Sequence, residues 1–398
     1  MENYYVYIYL NGSYQKCALL TYDGGSYTLA YGKIYLTRED RIAIDPKNLP
    51  LYEKNFESEN IFGAIKDSAP DRWGRYLLEK KFNRDLTEME YVLANSLEHV
   101  GALAFSPMDY DVPMLLTPKG YVPHNSDRVS LEKIMDQTEL ALSDEDGEKL
   151  RELLQYGPSL GGARPKYTIY HDDGPYLAKF SVSQDKRREP LIEYACMSMA
   201  KDLGLNVPEI RLEKIAGRDV YSIKRFDRKS EMKHPFISAL SLCNWDESGY
   251  YEWSYPLLCE ALINIGKNQT MINEDLKELF KRVAFNIAVN NDDDHPRNHG
   301  VYYRQGIWRL SPLYDVVAKD VSSHTFSLAM EIGTQKREAS KTNLLSAIKY
   351  FRLEKKEAEE IINEVFSFTE KNWRKYFETS GLNTKEVSRF ETAMKIKN

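Results

Sequence analysis

The stretch Asn291-Asp292-Asp293-Asp294-His295-Pro296-Arg297-Asn298 sets an acid, Asp293, five positions before an amide, Asn298. A second isolated acid follows in apolar company, Leu313-Tyr314-Asp315-Val316-Val317. The order D-x-x-x-x-N, then a strand-associated Asp, is how kinase-like phosphotransferases bring together a base and metal-ligating oxygens. Three consecutive Asp beside two Asn also read as a solvated turn. What decides between the two is whether the other half of a nucleotide site lies upstream, in the required order.

Residues 157–166 read Gly-Pro-Ser-Leu-Gly-Gly-Ala-Arg-Pro-Lys and lead into Tyr167-Thr168-Ile169-Tyr170, a strand-like run. Ser159, Gly161, Gly162 and Ala163 carry little side-chain bulk, so backbone N–H groups there can approach phosphate oxygens, as in anion-binding nests. The pattern is neither G-x-x-x-x-G-K-[ST] nor G-x-G-x-x-G, and by itself it is an ordinary Gly-Gly turn. Asp172-Asp173-Gly174 signals a hairpin, and Pro175 to Phe180 reads as the returning strand with Lys179 near its end. Lys179 either faces water or neutralises nucleotide phosphates. Glu193 sits in a helical pattern from Pro190 to Leu203 that Gly204 closes. It either pairs with Lys179 or is an exposed helix acid. Two further strands, Val207 to Leu212 and Val220 to Arg228, end where a nucleotide kinase places its hinge, which sets Lys224 and Phe226 beside the nucleotide. Loop, strand Lys, helix Glu, hinge, D-x-x-x-x-N and Asp then follow in the order the chemistry demands.

At this point the chain resembles a known family. Ser-Leu-Gly-Gly-Ala-Arg-Pro-Lys (159–166), Leu-Gly-Leu-Asn-Val-Pro-Glu (203–209), Lys-Arg-Phe-Asp-Arg (224–228), Asp-Asp-His-Pro-Arg-Asn (293–298) and Leu-Ser-Pro-Leu-Tyr-Asp-Val (310–316) are similar to HipA motifs. So are Asp67-Ser68-Ala69-Pro70-Asp71-Arg72-Trp73-Gly74 and Val100-Gly101-Ala102-Leu103, so the resemblance spans roughly residues 1 to 370. HipA proteins are serine/threonine kinase toxins of bacterial type II toxin–antitoxin systems. The resemblance implies a small helix-turn-helix, HipB-like antitoxin as partner and, through it, operator DNA. It also implies a protein substrate, for which an aminoacyl-tRNA synthetase is one candidate, and autophosphorylation at Ser159.

The expected fold class is α+β: a protein-kinase-like bilobal fold with a mixed N-lobe, a mostly helical C-lobe and an added β-rich N-terminal subdomain. The expected division is 1–106 for the subdomain, 107–226 for the N-lobe with connector, phosphate loop and hinge, and 227–398 for the C-lobe. Tyr4 to Leu10 alternates as a strand and ends at Asn11-Gly12, a hairpin signal; Lys16 to Tyr22 and Ser26 to Tyr31 continue the sheet. Helices are expected at Pro70 to Phe82 and at Thr87 to Leu97, the second with Thr87 and Glu90 as a capping box. Pro107, Pro113, Pro118 and Pro123 mark an irregular connector or short strands. Further helices are expected at Leu131 to Leu142, Asp144 to Gln155, Pro256 to Ile265, Asn273 to Asn290 and Lys341 to Asn372.

Bulk properties suit a cytoplasmic enzyme. The 398 residues carry 54 basic and 60 acidic side chains, a net charge of −6, which gives no global reason for strong direct nucleic-acid binding. Cys17, Cys196, Cys243 and Cys259 are widely spaced with no C-x-x-C, and the seven His show no metal spacing. The start lacks a basic leader and no apolar run is long enough to span a bilayer, so no membrane association is expected.

The chemistry assigned to these positions is phosphoryl transfer from ATP with Mg²⁺. Asp293 accepts the proton of the attacking hydroxyl, and Asn298 and Asp315 offer the hard oxygens that suit Mg²⁺. Lys179 bridges phosphates, and the loop from Ser159 to Lys166 covers them. His295, two positions after Asp293, either orients it, meets the phosphoryl oxygens or packs the loop. Asp292 and Asp294 read as solvated neighbours, Asp294 with the option of assisting the metal. A small-molecule phosphotransferase and a non-catalytic co-repressor module are the rival readings.

Overall fold

The computed structural model describes residues 1–123, 131–132, 134–136, 138, 166–182, 185–230, 232–320 and 325–395. The expected helices at 131–142 and 144–155, and the loop positions Ser159, Gly161, Gly162 and Ala163, fall wholly or mostly outside them. The chain divides into two compact units: Met1–Ser183 with Arg225–Ile237, and Gln184–Lys224 with Ser238–Asn398. This division differs from the three expected segments. Position 106/107 falls inside the first unit, and the strands expected in the N-lobe at 207–224 belong to the second.

The first unit is built on an antiparallel sheet in the order β4-β3-β2-β1-β5. Its strands are β1 (Glu2–Leu10), β2 (Ser13–Tyr22), β3 (Tyr27–Tyr31), β4 (Asn55–Ser58) and β5 (Leu103–Ser106). The β1–β2 hairpin turns at Asn11 and Gly12, with φ of +48° and +94°. Positive φ at both positions is what an Asn-Gly turn supplies at low steric cost. Alternation along β1 and β2 buries Val6, Ile8 and Leu20 completely. Helices α1 (Lys33–Leu36) and α2 (Gly63–Lys66) are single turns; α3 (Arg72–Phe82) and α4 (Glu88–Ala94) are longer. Asp71 caps α3 by accepting from Gly74 N–H, and Asn83 closes it in the left-handed conformation. Thr87 and Glu90 form the expected capping box of α4, but the helix stops at Ala94 because Asn95 turns extended. Asn95 Nδ2 instead donates to Ser68 O. The proline-marked connector forms a short hairpin, β6 (Met114–Thr117) with β7 (Gly120–Pro123). β8 (Lys166–His171) and β9 (Gly174–Phe180) form the hairpin read at Asp172-Asp173-Gly174, with Lys166 opposite Lys179. The returning segment carries β12 (Arg228–Lys229), β13 (Met232–Lys233) and the start of β14 (Phe236–Ser238).

The second unit is mainly helical: α5 (Glu189–Asp202), α6 (Ala239–Leu242), α7 (Tyr255–Ile265), α8 (Gln269–Val289), α9 (Lys341–Ser346), α10 (Lys355–Thr379) and α11 (Thr384–Ser388). Two hairpins join them, β10 (Ile210–Ile215) with β11 (Arg218–Lys224) and β15 (Gly300–Arg304) with β16 (Ile307–Leu310). β11 ends at Lys224 rather than Arg228. The expected helix over 341–372 is two helices. Between them Phe351 is fully buried, 5.1 Å from the Phe280 ring of α8, and Arg352 takes φ of +54°. Burying that ring turns the chain where no Gly or Pro announces it.

α8 positions the site. Asn268 caps its start, and Leu276, Leu279, Phe280, Val283 and Ile287 are wholly buried. Arg282 is buried too, with Nε donating to Glu278 and Nη2 to Ser311 O at 2.8 Å. The helix ends at Asn290, left-handed at φ +61°, which turns the chain directly into the Asp-rich stretch. Among the described residues no helix is long and apolar enough to cross a membrane.

Candidate active site

Asp293 is exposed in the loop that follows α8. Its carbonyl accepts from His295 N–H at 2.8 Å and from Asn298 Nδ2 at 3.0 Å. The second bond ties the two ends of the D-x-x-x-x-N stretch together. It also commits the amide nitrogen of Asn298 and leaves the amide oxygen as the group to present to a cation. A 3-10 turn over Pro296–Asn298 closes the loop and buries Asn298.

Asp315 arrives from a separate segment that is fixed to the same loop at two points. Tyr314 Oη donates to Arg297 O at 2.9 Å, and Lys319 N–H donates to Asn290 O at 3.2 Å. Asp315 itself is half-buried and holds φ of +62°, in the left-handed region that a non-Gly residue enters at a cost. Asp293, Asn298 and Asp315 therefore share one hydrogen-bonded framework within the second unit. Among the described residues no cluster of three or more His, Cys, Asp or Glu could hold a metal ion. One amide oxygen with one carboxylate suits Mg²⁺, which takes few protein ligands and completes its shell with phosphates and water.

Asp294 corrects the sequence reading. It is buried rather than solvated, and its Oδ2 accepts from Tyr255 Oη of α7 and, at 2.6 Å, from Asn286 Nδ2 of α8. His299 Nε2 stands 2.9 Å from Oδ1, within ion-pair range but without hydrogen-bond alignment. Burial pushes the Asp294 carboxyl up, but His299 and the Tyr255 hydroxyl outweigh it and the net direction is below the ordinary carboxylate value. Asn291 Nδ2 donates to Asn286 Oδ1 at 3.0 Å and extends the network. With these partners Asp294 anchors the loop from beneath. Asp292 is exposed and lies 3.8 Å from Lys319 Nζ. His295 is half-buried, and its charge acts on Asp294.

Glu193 is neither exposed nor a surface acid: it is 3% exposed on α5. The Tyr221 hydroxyl is raised well above its ordinary value by burial first, and then by the charges of Glu193 and Asp315. Glu193 and Asp315 thus act on the same buried tyrosine within the second unit. Lys224 ends β11 with its ammonium 3.6 Å from Glu209, so that cation is already partnered.

The remaining expected residues lie in the first unit. Lys179 is half-buried on β9. Lys166 is 4% exposed, and its charge acts on Asp71, whose carboxyl burial nevertheless raises to about 6. Phe226 is half-buried, its ring 5.7 Å from that of Phe236. Its neighbours form a buried ionic cluster. Asp227 accepts from Arg225 Nε at 3.0 Å and Nη2 at 2.7 Å, from Arg228 Nη1 at 2.7 Å and from Gly101 N–H at 2.9 Å. Arg225 and Arg228 also cap the carbonyls of Glu98, His99 and Gly101. Two of the motifs that carried the resemblance, 100–103 and 224–228, are therefore one structural joint.

A family model described as the HipA-like C-terminal domain matches residues 158–373, more than half of the sequence. A protein named as a putative kinase, from Haemophilus influenzae, is 26% identical over 192 residues, covering 41% of this chain and 53% of that protein. The serine/threonine-protein kinase toxin HipA of Shewanella oneidensis is 20% identical over 293 residues, covering 66% and 64%. The chain thus spans between half and two thirds of these relatives' own length. Among solved structures, the Shewanella oneidensis MR-1 complex of HipA, HipB and operator DNA aligns over 98% of this chain and 94% of that one, with a TM-score of 0.69 at 14% identity. The fold is accordingly α+β and kinase-like bilobal. The chain belongs to the HipA-like C-terminal domain family.

Proposed function

We propose that this HipA-like chain is an ATP- and Mg²⁺-dependent serine/threonine protein kinase that acts as the toxin of a HipBA-like pair. The observation that carries the reading is the Asn298 Nδ2 bond to the Asp293 carbonyl, made in a loop that Asp315's segment grips at both ends. A base and two cation-binding oxygens held on one framework are what phosphoryl transfer requires.

Bound Mg-ATP supplies the γ-phosphoryl group and most of the neutralising positive charge. Asp293, exposed at the loop's tip, accepts the proton of the serine or threonine hydroxyl as it attacks. Asn298 and Asp315 would hold Mg²⁺ through their side-chain oxygens, Asp315 from a left-handed backbone position. Asp294, Tyr255 and Asn286 fix the loop so that Asp293 need not reorganise during the reaction. Lys179, Lys166, Lys224, Glu193 and Phe226 are assigned to the nucleotide's surroundings, with the loop positions Ser159, Gly161, Gly162 and Ala163. Of these, Lys179, the strand lysine of β9, is assigned the phosphate contact. His295 is assigned to orienting the loop acids. Ser159 is the proposed autophosphorylation site; a covalent phosphate there competes with nucleotide phosphates for the same loop.

The relatives' names support a toxin role and a HipB-like, operator-binding partner. The protein substrate is assigned to the translation machinery, an aminoacyl-tRNA synthetase being the first candidate to test. Expression in a bacterial host tests the reading. The wild type should arrest growth, Asp293→Asn should not, and co-expression of a cognate helix-turn-helix protein should relieve the arrest. Equal toxicity of wild type and Asp293→Asn would separate growth arrest from phosphoryl transfer.

A further inference from the structure

A second feature of the mainly helical unit has no part in the chemistry above. A groove of about 740 Å³, open to solvent, is lined by Tyr250, Tyr251, Phe326, Lys336 and Arg337, with Glu331 at one wall. Arg337 is only 9% exposed, and both of its terminal nitrogens, Nη1 and Nη2, are buried without a hydrogen-bond partner among the described residues. Its guanidinium lies 3.4 Å from the Tyr250 ring centroid. A buried guanidinium is ordinarily paired, because it has lost water and gained nothing in return. Arg337 lines the groove, and its two forked donors match a carboxylate, which accepts them bidentately.

The scaffold around Arg337 is fixed. Its carbonyl accepts from Leu328 N–H at 2.9 Å, and Ala339 N–H donates to Phe326 O at 3.0 Å. Asn343, fully buried, donates from Nδ2 to the carbonyls of Lys336 and Glu338 and accepts from Gln335 N–H. The arginine is therefore held in place rather than left over from a loose loop. Lys336 lies 3.4 Å from Glu331 and balances it, while Glu338 stands exposed at the rim.

The groove is also coupled to the catalytic loop. Tyr255 N–H donates to Glu331 O at 2.9 Å, and Glu331 N–H donates to Trp253 O at 2.8 Å. The same Tyr255 carries the hydroxyl that holds Asp294, the neighbour of Asp293.

We infer that this groove docks an extended segment of the protein substrate and receives an acidic side chain on Arg337. The choice of a protein segment rests on the proposed protein-kinase activity; the choice of a carboxylate rests on the unpartnered guanidinium. An aromatic floor with Tyr251 84% exposed suits a chain passing over it better than an enclosed small molecule.

The test is direct binding to the full-length protein without nucleotide, so that it stands apart from catalysis. The probe is a short fluorescein-labelled Ser/Ala/Phe peptide carrying glutamates, compared with its glutamine counterpart by fluorescence anisotropy. The glutamate peptide should bind the wild type, and the glutamine peptide should bind at least about tenfold more weakly. Arg337→Gln and Tyr251→Ala should each weaken glutamate-peptide binding by about tenfold or more. If Arg337→Gln does not fold, Tyr251→Ala, whose side chain is exposed, and the peptide pair decide. Equal affinity in either folded variant, or for both peptides, overturns the proposal. So does binding of inorganic phosphate at Arg337 with no binding of the peptide, which would make the groove a small-anion site. Failure of phosphoryl transfer with peptide binding intact would count against the kinase reading and leave the groove's assignment standing.

Discussion

Asp294 should be the residue on which the shape of the candidate active site depends, and its two simplest substitutions should behave differently. In Asp294→Ala, Tyr255 Oη and Asn286 Nδ2 lose a shared charged acceptor, and His299 loses its facing carboxylate. Hydrogen bonds to a charged group contribute about 1.5–3 kcal/mol each, and breaking one partner out of a buried ionic set costs about 3–5 kcal/mol. The alanine variant should therefore lose about 3–5 kcal/mol from the second unit. Asp294→Asn is different in kind. Both aligned donors converge on Oδ2, so an asparagine oxygen placed there keeps them. Its loss should stay under about 1.5 kcal/mol. Urea unfolding followed by tryptophan fluorescence is the assay, because Trp245, Trp253, Trp308 and Trp373 all belong to this unit. The two variants should also differ in transfer rate, since a loop displaced by about 1 Å loses on the order of 100-fold in kcat. An alanine variant within about 1 kcal/mol of the wild type, or an asparagine variant as damaged as alanine, would refute the reasoning.

Other consequences can be measured independently. Asp294's carboxyl is depressed, so its stabilisation should be complete above the unfolded carboxylate value of about 4 and be lost as pH falls below it; Asp294→Asn should lack that acid-limb loss in pH-dependent urea melts. Asp71's carboxyl is instead raised to about 6, by burial first. The folded state then holds more protons than the unfolded one between about pH 4 and 6, stability falls by roughly 2–3 kcal/mol as pH rises through that window, and Asp71→Asn should flatten the slope in thermal melts. Asp227→Ala strands two buried arginines and should cost the first unit about 3–5 kcal/mol by chemical denaturation; a loss under about 1 kcal/mol would contradict the buried-cluster account. Tyr314→Phe removes one of the two ties between the Asp315 segment and the loop. It should weaken Mg-ATP binding in calorimetry with little loss of stability, and unchanged affinity would count against that tie.

What the sequence made legible was local. The Asn11-Gly12 turn, the Thr87/Glu90 capping box and the Asp172-Asp173-Gly174 hairpin each carry their own geometry within four residues, and each is present. The D-x-x-x-x-N spacing likewise closes on itself through Asn298 and Asp293. What escaped depends on partners distant in sequence. Nothing in Asp292-Asp293-Asp294 says that the third is buried; that follows from Tyr255 on one helix and Asn286 on another. Nothing local in Lys224-Arg225-Phe226-Asp227-Arg228 announces the partners of Arg225 and Asp227, the backbone of Glu98 to Gly101, which lie more than 120 positions away. Nothing in Thr334-Gln335-Lys336-Arg337 says that the arginine is buried; Asn343, seven positions after Lys336, holds the turn. The break between α9 and α10 is set by Phe351 meeting Phe280, a tertiary contact that no helix-breaking residue foreshadows.

The central claim is that Asp293, Asn298 and Asp315 act together in phosphoryl transfer. Its most direct test is γ-labelled ATP with Mg²⁺ and purified protein, scored as label incorporated into serine or threonine of the chain itself or of an added bacterial lysate. The wild type should incorporate label only with Mg²⁺ present, Asp293→Asn should incorporate at least about 100-fold less while remaining folded, and Asp315→Ala should lose metal-dependent nucleotide binding. Incorporation by Asp293→Asn at the wild-type rate, or Mg-ATP affinity unchanged in Asp315→Ala, would contradict it.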